Sequence, residues 1–97
     1  MELVTFVIYD IEDDRIRTRI AEDCKDAGLE RVQYSVFRGL LDRTRRKDLL
    51  AKLIERLGDR KGRFLILNLC EKDAREVREH IREYGDYPPG AKESAAA

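Results

Sequence analysis

Carboxylate side chains are concentrated in one short stretch near the start of the chain, YDIEDDRIR, between Tyr9 and Arg17. The stretch directly follows the apolar run LVTFVI, so its first carboxylate, Asp10, stands where a strand is expected to leave its sheet. A side chain at that position is held by the sheet and still reaches solvent. Because carboxylate oxygens suit a hard cation such as Mg²⁺, we predict that Asp10 is a metal ligand.

The same carboxylates have a second interpretation that involves no metal. Asp10 can cap a turn or the start of a helix. Glu12, Asp13 and Asp14 are favourable charges at a helix N-terminus. Mg²⁺ usually takes one or two carboxylates together with waters and phosphate oxygens, so Asp10 alone leaves one chain short of ligands. A two-fold homodimer that brings both copies of Asp10 together would supply the second carboxylate.

Other catalytic chemistries find little support in the sequence. A single histidine, His80, argues against a His-based triad or a His-rich metal site, and there is no glycine-rich phosphate loop or nucleophile elbow. Cys24 and Cys70 lack metal-ligand spacing, so we interpret both as reduced thiols in the core of a cytoplasmic protein. No apolar run approaches the roughly 20 residues that a membrane span requires, which predicts no membrane association.

Positive charge is concentrated in the middle of a chain that carries no net charge. The 97 residues include 20 Lys and Arg and 20 Asp and Glu, whereas residues 38–63 hold ten basic and four acidic side chains, a local excess of six positive charges. An oriented face for a polyanion such as nucleic acid is one interpretation, and a solvated helix is the other. The residues predicted to contact phosphates are Arg43, Arg45, Arg46 and Lys47.

Three segments carry strand-forming residues. LVTFVIY at the start and FLILNLC at 64–70 are continuous apolar runs without alternation, which is typical of strands covered on both faces. The segment 29–41 contains Val, Tyr, Phe and Leu in strand-forming company, and we predict one long bent strand or two short ones there.

Helical spacing of apolar residues separates these segments. It predicts a first helix from Asp13 or Asp14 to Gly28 and a second from about Thr44 to Gly58, with each glycine as the stop. A short amphipathic third helix is predicted over 73–85.

The element order is strand, helix, two strand segments, helix, strand. This order predicts an α+β fold of the ferredoxin-like type, βαββαβ, with an antiparallel sheet and a short C-terminal helical extension. The length fits one domain, which we place at residues 1–85. The segment 86–97, which begins near two prolines, is predicted to be a tail.

One stretch of the sequence resembles a known family. VIYDIEDDRIRTRIAEDCKDAGLERVQYSVFRG is similar to the N-terminal signature of the small CRISPR-associated nucleases, the Cas2 family. The shared pattern is a strand ending in Tyr-Asp, an acidic turn, an Arg-bearing helix, and then Gly-Leu-x-Arg-Val-Gln-x-Ser-Val-Phe-x-Gly. It spans roughly the first forty residues, and from Arg43 to Tyr84 the likeness rests on element order and length.

The resemblance implies a ferredoxin-like homodimer with magnesium-dependent phosphodiesterase activity on RNA or double-stranded DNA. It also implies partnership with the larger integrase subunit, Cas1, in the complex that captures foreign DNA as new spacers. The family's metal-binding aspartate falls on Asp10. The other residues implicated around that site fall on Tyr9, Arg17, Arg19, Arg31 and Phe37.

Three of these assignments have an alternative. Arg19 could pair with Asp23 one turn on, Arg31 could form a dimer salt bridge, and Phe37 could belong to the core. Family members often end with a strand that crosses to the partner protomer, and Pro88 and Pro89 interrupt the region where it would lie. The whole protein could also be a non-catalytic DNA-binding dimer that bridges integrase subunits. A ferredoxin-fold ribonuclease outside CRISPR explains the Gly-Leu-Glu-Arg-Val-Gln run less well.

Overall fold

A computed structural model describes residues 1–82 of the chain. Its elements, in chain order, are β1 (Leu3–Asp10), α1 (Asp14–Asp26), β2 (Glu30–Gln33), β3 (Val36–Leu41), α2 (Arg43–Leu57), β4 (Arg63–Leu69) and α3 (Glu71–Ala74). The strands form one antiparallel sheet in the order β2-β3-β1-β4. This topology confirms the predicted ferredoxin-like α+β fold. The predicted tail at 86–97 and the two prolines lie outside the described residues.

Aspartate side chains fix the starts of both long helices. Asp13 caps α1 by accepting hydrogen bonds from the backbone N–H groups of Arg15 and Ile16, at 2.9 and 3.1 Å. These bonds, that of Ile16 above all, hold the pKa of the Asp13 carboxyl below its usual value. Asp42 caps α2 in the same way, at 2.8 Å from the backbone nitrogen of Arg45. Because caps of this kind satisfy the free N–H groups of the first turn, both predicted helices begin directly after a capping aspartate.

Within residues 1–82, the helices cover only one face of the sheet. Buried residues from β1, α1, β3 and α2 form the core, namely Val7, Tyr9, Ile16, Ile20, Ala21, Cys24, Phe37, Leu41, Leu49 and Leu53, together with Ile11 and Leu29 from the connections. On the opposite face, Leu65 and Leu67 of β4 are 50% and 45% exposed. The prediction that the first and last strands are covered on both faces is therefore wrong for the part of the chain that the structure describes.

The segment between the helices forms two short strands. Residues Tyr34 and Ser35 make a tight turn between β2 and β3, which pair with each other with a register shift between Arg31 and Gln33. The turn settles the alternative that the sequence left open, because a single bent strand would not pair with itself.

Three further expectations need correction. The third helix, predicted over 73–85, ends at Ala74 after a single turn, and residues 75–82 are not helical. Cys24 is buried as predicted, but Cys70 is exposed, and both thiols are free. Asp23 forms an ion pair with Arg56 of α2, at 2.8 Å, and not with Arg19.

No helix within residues 1–82 is long and apolar enough to span a membrane.

Candidate functional site

The sheet face that the helices leave uncovered, with Leu65 and Leu67, is called the open face below. Asp10 lies at the end of this face. It is the last residue of β1, and it has the same side-chain direction as Val4, Phe6 and Ile8, which the helices do not cover. Its side chain is 80% exposed. Directly across the β1–β4 ladder stands Arg63, whose Nε lies 3.9 Å from Oδ2 of Asp10. The predicted metal ligand is thus accessible, and Arg63 is its cationic neighbour.

Tyr9 lies on the other face of the sheet. Only 4% of the residue is exposed, and its ring stacks on that of Phe37 with centroids 6.4 Å apart. Burial raises the pKa of the Tyr9 hydroxyl to about 12, and the nearby guanidinium of Arg31 opposes this shift. Tyr9 therefore stays protonated within the core, separated from the Asp10 carboxylate by the sheet.

Arg31 and Phe37 accompany Tyr9 on the covered face. The Arg31 guanidinium lies over the Phe37 ring, 4.9 Å from its centroid. Phe37 is fully buried, so in the single chain it is a core residue and not an exposed platform for a base. Arg31 Nε is buried without a hydrogen-bond partner within residues 1–82.

Arg17 braces the connection between β1 and α1. Its Nη1 donates to the carbonyl oxygens of Ile11 and Glu12, at 2.9 and 3.1 Å, and its Nη2 pairs with the carboxylate of Asp14. The guanidinium also lies 5.8 Å from the ring centroid of Tyr34. These contacts fix the loop that follows Asp10.

Arg19 is exposed in a groove between the helices. The groove has a volume of about 540 Å³, and its walls include Arg15, Arg56 and Arg60. It is formed by the start of α1 and the end of α2, on the helix side of the sheet. The structure therefore groups Tyr9, Arg31 and Phe37 in one cluster and leaves Arg19 and Asp10 outside it.

The four predicted phosphate contacts at the start of α2 do not share one surface. Arg46 donates to the carbonyl oxygens of Leu41 and Met1, at 2.6 and 3.2 Å, and so ties the helix start to β3 and the N-terminus. Arg45 lines a shallow groove together with acidic side chains of α1 and α2. Arg43 and Lys47 are exposed and, four residues apart, lie on the same side of α2.

The side chains near Asp10 that could bind a metal determine whether Mg²⁺ fits at this position. Within residues 1–82, no three His, Cys, Asp or Glu side chains converge on one point. An exposed carboxylate is nevertheless the oxygen donor that Mg²⁺ prefers, with waters and substrate oxygens completing its shell. Among residues 1–82, the Asp10 carboxylate can therefore contribute one oxygen ligand to Mg²⁺, but a single chain does not enclose the ion.

Sequence reasoning missed Arg63 and the open face itself. The apolar run in β4 predicts a strand, but it does not tell whether helices or a second chain cover its outer side. Strand parity was available as a signal, since neighbours such as Tyr9 and Asp10 must point to opposite faces.

Comparisons with known proteins agree with the fold and with the N-terminal signature. The family model for CRISPR associated protein Cas2 matches residues 2–85. A relative from Desulforudis audaxviator, named CRISPR-associated endoribonuclease Cas2, is 39% identical over 93 residues, which are 96% of this chain and 87% of the relative. A relative from Pyrobaculum aerophilum, named CRISPR-associated endoribonuclease Cas2 2, is 37% identical over 86 residues, or 89% of this chain and 90% of the relative.

A solved structure described as the crystal structure of cas2 has the same fold. It superposes with a TM-score of 0.70 at 23% identity and covers 91% of this chain and 94% of its own. At that identity the likeness speaks for the fold alone, while the match to the family model and the two relatives establish descent. The chain belongs to the CRISPR-associated Cas2 family.

Proposed function

We propose that this protein is a homodimeric, magnesium-dependent endonuclease of CRISPR defence, which hydrolyses phosphodiester bonds of RNA or double-stranded DNA in a cleft that contains both copies of Asp10. The observation that carries the proposal is the position of Asp10 at the end of an uncovered apolar sheet face. The uncovered sheet face would then form the dimer interface and also hold the site that the two chains share.

The open face supports the dimer. Leu40, Leu65 and Leu67 are large apolar side chains that remain exposed there, beside the half-buried Phe6 and Ile8. A contiguous apolar patch of this kind marks an interaction surface. A second copy of the chain is a suitable occupant, because a two-fold axis brings the same patch of both copies together. Since Asp10 lies on that face, burying the face in this way can place both carboxylates at one cleft.

The chemistry follows from the charge at that cleft. Hydrolysis joins a water oxygen to phosphorus and breaks the bond from phosphorus to the leaving oxygen, which takes up a proton. Two carboxylates alone would repel the anionic phosphate. When bound, Mg²⁺ would offset this repulsion and polarise the phosphate. Asp10 would hold the cation at the end of β1, where the exposed carboxylate is accessible to the substrate.

Two considerations bear on the substrate and the cellular role. The relatives from D. audaxviator and P. aerophilum are named endoribonucleases, which favours RNA as the first substrate to test. The exposed Arg43 and Lys47 favour contact with a phosphate backbone of either nucleic acid. Within CRISPR defence, we propose that the dimer also binds the integrase subunit Cas1 during spacer acquisition.

A second candidate is a non-catalytic dimer that holds duplex DNA and bridges integrase subunits. The exposed Arg43 and Lys47 support it, because basic side chains bind duplex phosphates without a metal. The two candidates need the same basic surface and differ in what Asp10 does. Under the second, Asp10 is a surface charge, and its removal leaves DNA binding and integrase docking unchanged.

Nuclease assays on the wild type and on Asp10→Ala separate the two candidates. Each protein is incubated with RNA and with duplex DNA, in Mg²⁺ and in chelator, and circular dichroism checks the fold. Asp26→Ala is the matched control, because Asp26 is an exposed carboxylate at the far end of α1. We expect cleavage in Mg²⁺ by the wild type and the control only. Equal cleavage by a folded Asp10→Ala protein would contradict the proposal.

A further inference from the structure

Arg63 occupies a defined position beside Asp10. It is the first residue of β4 and the antiparallel partner of Asp10, so both side chains leave the sheet on the open face. The side chains are 84% and 80% exposed. Their closest approach, 3.9 Å, is that of a loose surface ion pair, which contributes little to stability. The contact therefore leaves the Arg63 guanidinium available for a ligand.

The backbone before Arg63 determines this position. Gly62 has φ +148°, in a region that residues with a side chain rarely adopt. A Cβ at Gly62 would lie 2.9 Å from Cγ1 of Ile11 and 3.2 Å from Cδ1 of Leu57. Glycine therefore lets the chain pass close under the β1–α1 connection, and β4 begins directly opposite the end of β1.

Three other arginines of the N-terminal signature are differently engaged. Arg17 donates to two backbone carbonyl groups, and Arg31 lies over the Phe37 ring on the helix side of the sheet. Arg19 lines the groove between the helices. Among residues 1–82, Arg63 is the basic side chain that forms an ion pair with Asp10. It can reach a phosphate at that carboxylate without crossing the sheet.

We propose that Arg63 binds the phosphate of the nucleic-acid substrate in the Asp10 cleft. This inference rests on the function proposed above and assigns a residue to it. Because Arg63 and Asp10 are ladder partners, a two-fold packing that joins the two Asp10 residues also brings two Arg63 residues to the same cleft. A cation held by the carboxylates would weaken the loose contact of Arg63 with Asp10 further, but even without a cation a phosphate can reach the guanidinium. Its planar fork of N–H donors then matches two phosphate oxygens and offsets charge that grows on them during hydrolysis.

Three variants test the assignment. Arg63→Gln removes the charge, and Arg63→Lys keeps the charge without the planar fork. Lys61→Gln is the control, because it removes one exposed positive charge two residues away. The first readout is the affinity for a fluorescein-labelled RNA oligonucleotide in chelator, where no cleavage competes. The second is Mg²⁺ affinity without RNA, followed as the rise in melting temperature during a Mg²⁺ titration.

For Arg63→Gln we expect RNA affinity to fall roughly tenfold, as for the loss of a charge-assisted hydrogen bond, with Lys restoring part of it. Mg²⁺ affinity should increase, since no guanidinium competes for Asp10. RNA affinity equal to that of the Lys61→Gln control, with unchanged Mg²⁺ affinity, would overturn the assignment. Failure of the proposed function can be distinguished from failure of this assignment. If the proposed function is wrong, Asp10→Ala cleaves normally. The RNA affinities of the Arg63 variants test the assignment separately, because they are measured without cleavage.

Discussion

Tyr9 and Asp10 are consecutive residues of β1 that lie on opposite faces of the sheet. The Tyr9 ring is buried against Phe37 beneath the helices, and the Asp10 carboxylate extends into solvent beside Arg63. The alternation of side chains along a strand requires this separation. In the single chain, Tyr9 and Phe37 therefore belong to the core beneath the helices, whereas Asp10, the predicted metal ligand, is accessible to solvent on the other face.

The first prediction concerns the Tyr9 hydroxyl. Tyr9→Phe should cleave RNA at the wild-type rate, because the hydroxyl is buried on the face away from Asp10. Tyr9→Ala should instead lower the free energy of unfolding by roughly 3–5 kcal/mol, as large-to-small core substitutions do. Rates and denaturant midpoints of the two variants check this. A folded Tyr9→Phe protein without activity would place the hydroxyl in the reaction.

The raised pKa of the Tyr9 hydroxyl also predicts that the protein loses stability at alkaline pH. Its folded-state pKa, about 12, lies above the ordinary value of 10.0, so the neutral hydroxyl is the form that the fold favours. The resulting stabilisation is fully present below pH 10.0 and is lost as pH rises through about 12. Melting temperatures of the wild type should therefore fall more steeply than those of Tyr9→Phe across this interval. Parallel curves would show that Tyr9 titrates as it does in the unfolded chain.

A third prediction concerns the open face. Leu67→Lys places a charge in the proposed interface and should convert the dimer to a monomer, because an unpaired buried charge is strongly unfavourable. Asn68→Lys is the control, since this exposed residue of the same strand points to the helix side, where its side chain contacts the Thr5 hydroxyl. Sedimentation analysis reports the mass of each. A dimeric Leu67→Lys protein would mean that another surface forms the dimer.

The exposed basic residues of α2 predict a salt dependence. Replacing Arg43 and Lys47 by glutamine should reduce the slope of log affinity against log salt by about 0.9 for each phosphate of duplex DNA that the variant no longer neutralises. Arg46→Gln should leave the slope unchanged and lower the melting temperature, because Arg46 is bound to Leu41 and Met1. A slope that is unaffected by the double substitution would identify these charges as a solvated surface.

Periodicity predicted most of the fold but not the surfaces on which the proposed function depends. Both long helices begin within a residue or two of the expected positions, because an aspartate cap and an apolar stripe define each of them locally. The third helix was wrong: Val77 and Ile81 have helical spacing, but a short helix gains little stability without a surface to pack on. The turn at Tyr34 was not located, since strand-forming residues continue through it.

Predicting the site from the sequence was limited by pairing register. Asp10 was proposed as a metal ligand because its residue type and its place at a strand end are both local features. Arg63 was not, since nothing along the chain tells which residue of β4 stands opposite Asp10 until the two strands are paired. The open face was missed for a related reason, because an apolar strand has the same sequence pattern whether helices or another chain cover it.

The central claim is that one catalytic site needs Asp10 from two chains, and subunit mixing tests it most directly. Wild type and Asp10→Ala are mixed in equal amounts, unfolded, refolded together, and assayed for magnesium-dependent cleavage, with Asp26→Ala in the parallel control mixture. If both carboxylates are required and chains assort at random, only wild-type dimers cleave, so activity should fall to about one quarter of that of undiluted wild type. Retention of about one half would mean that each chain acts alone, and would contradict the shared site.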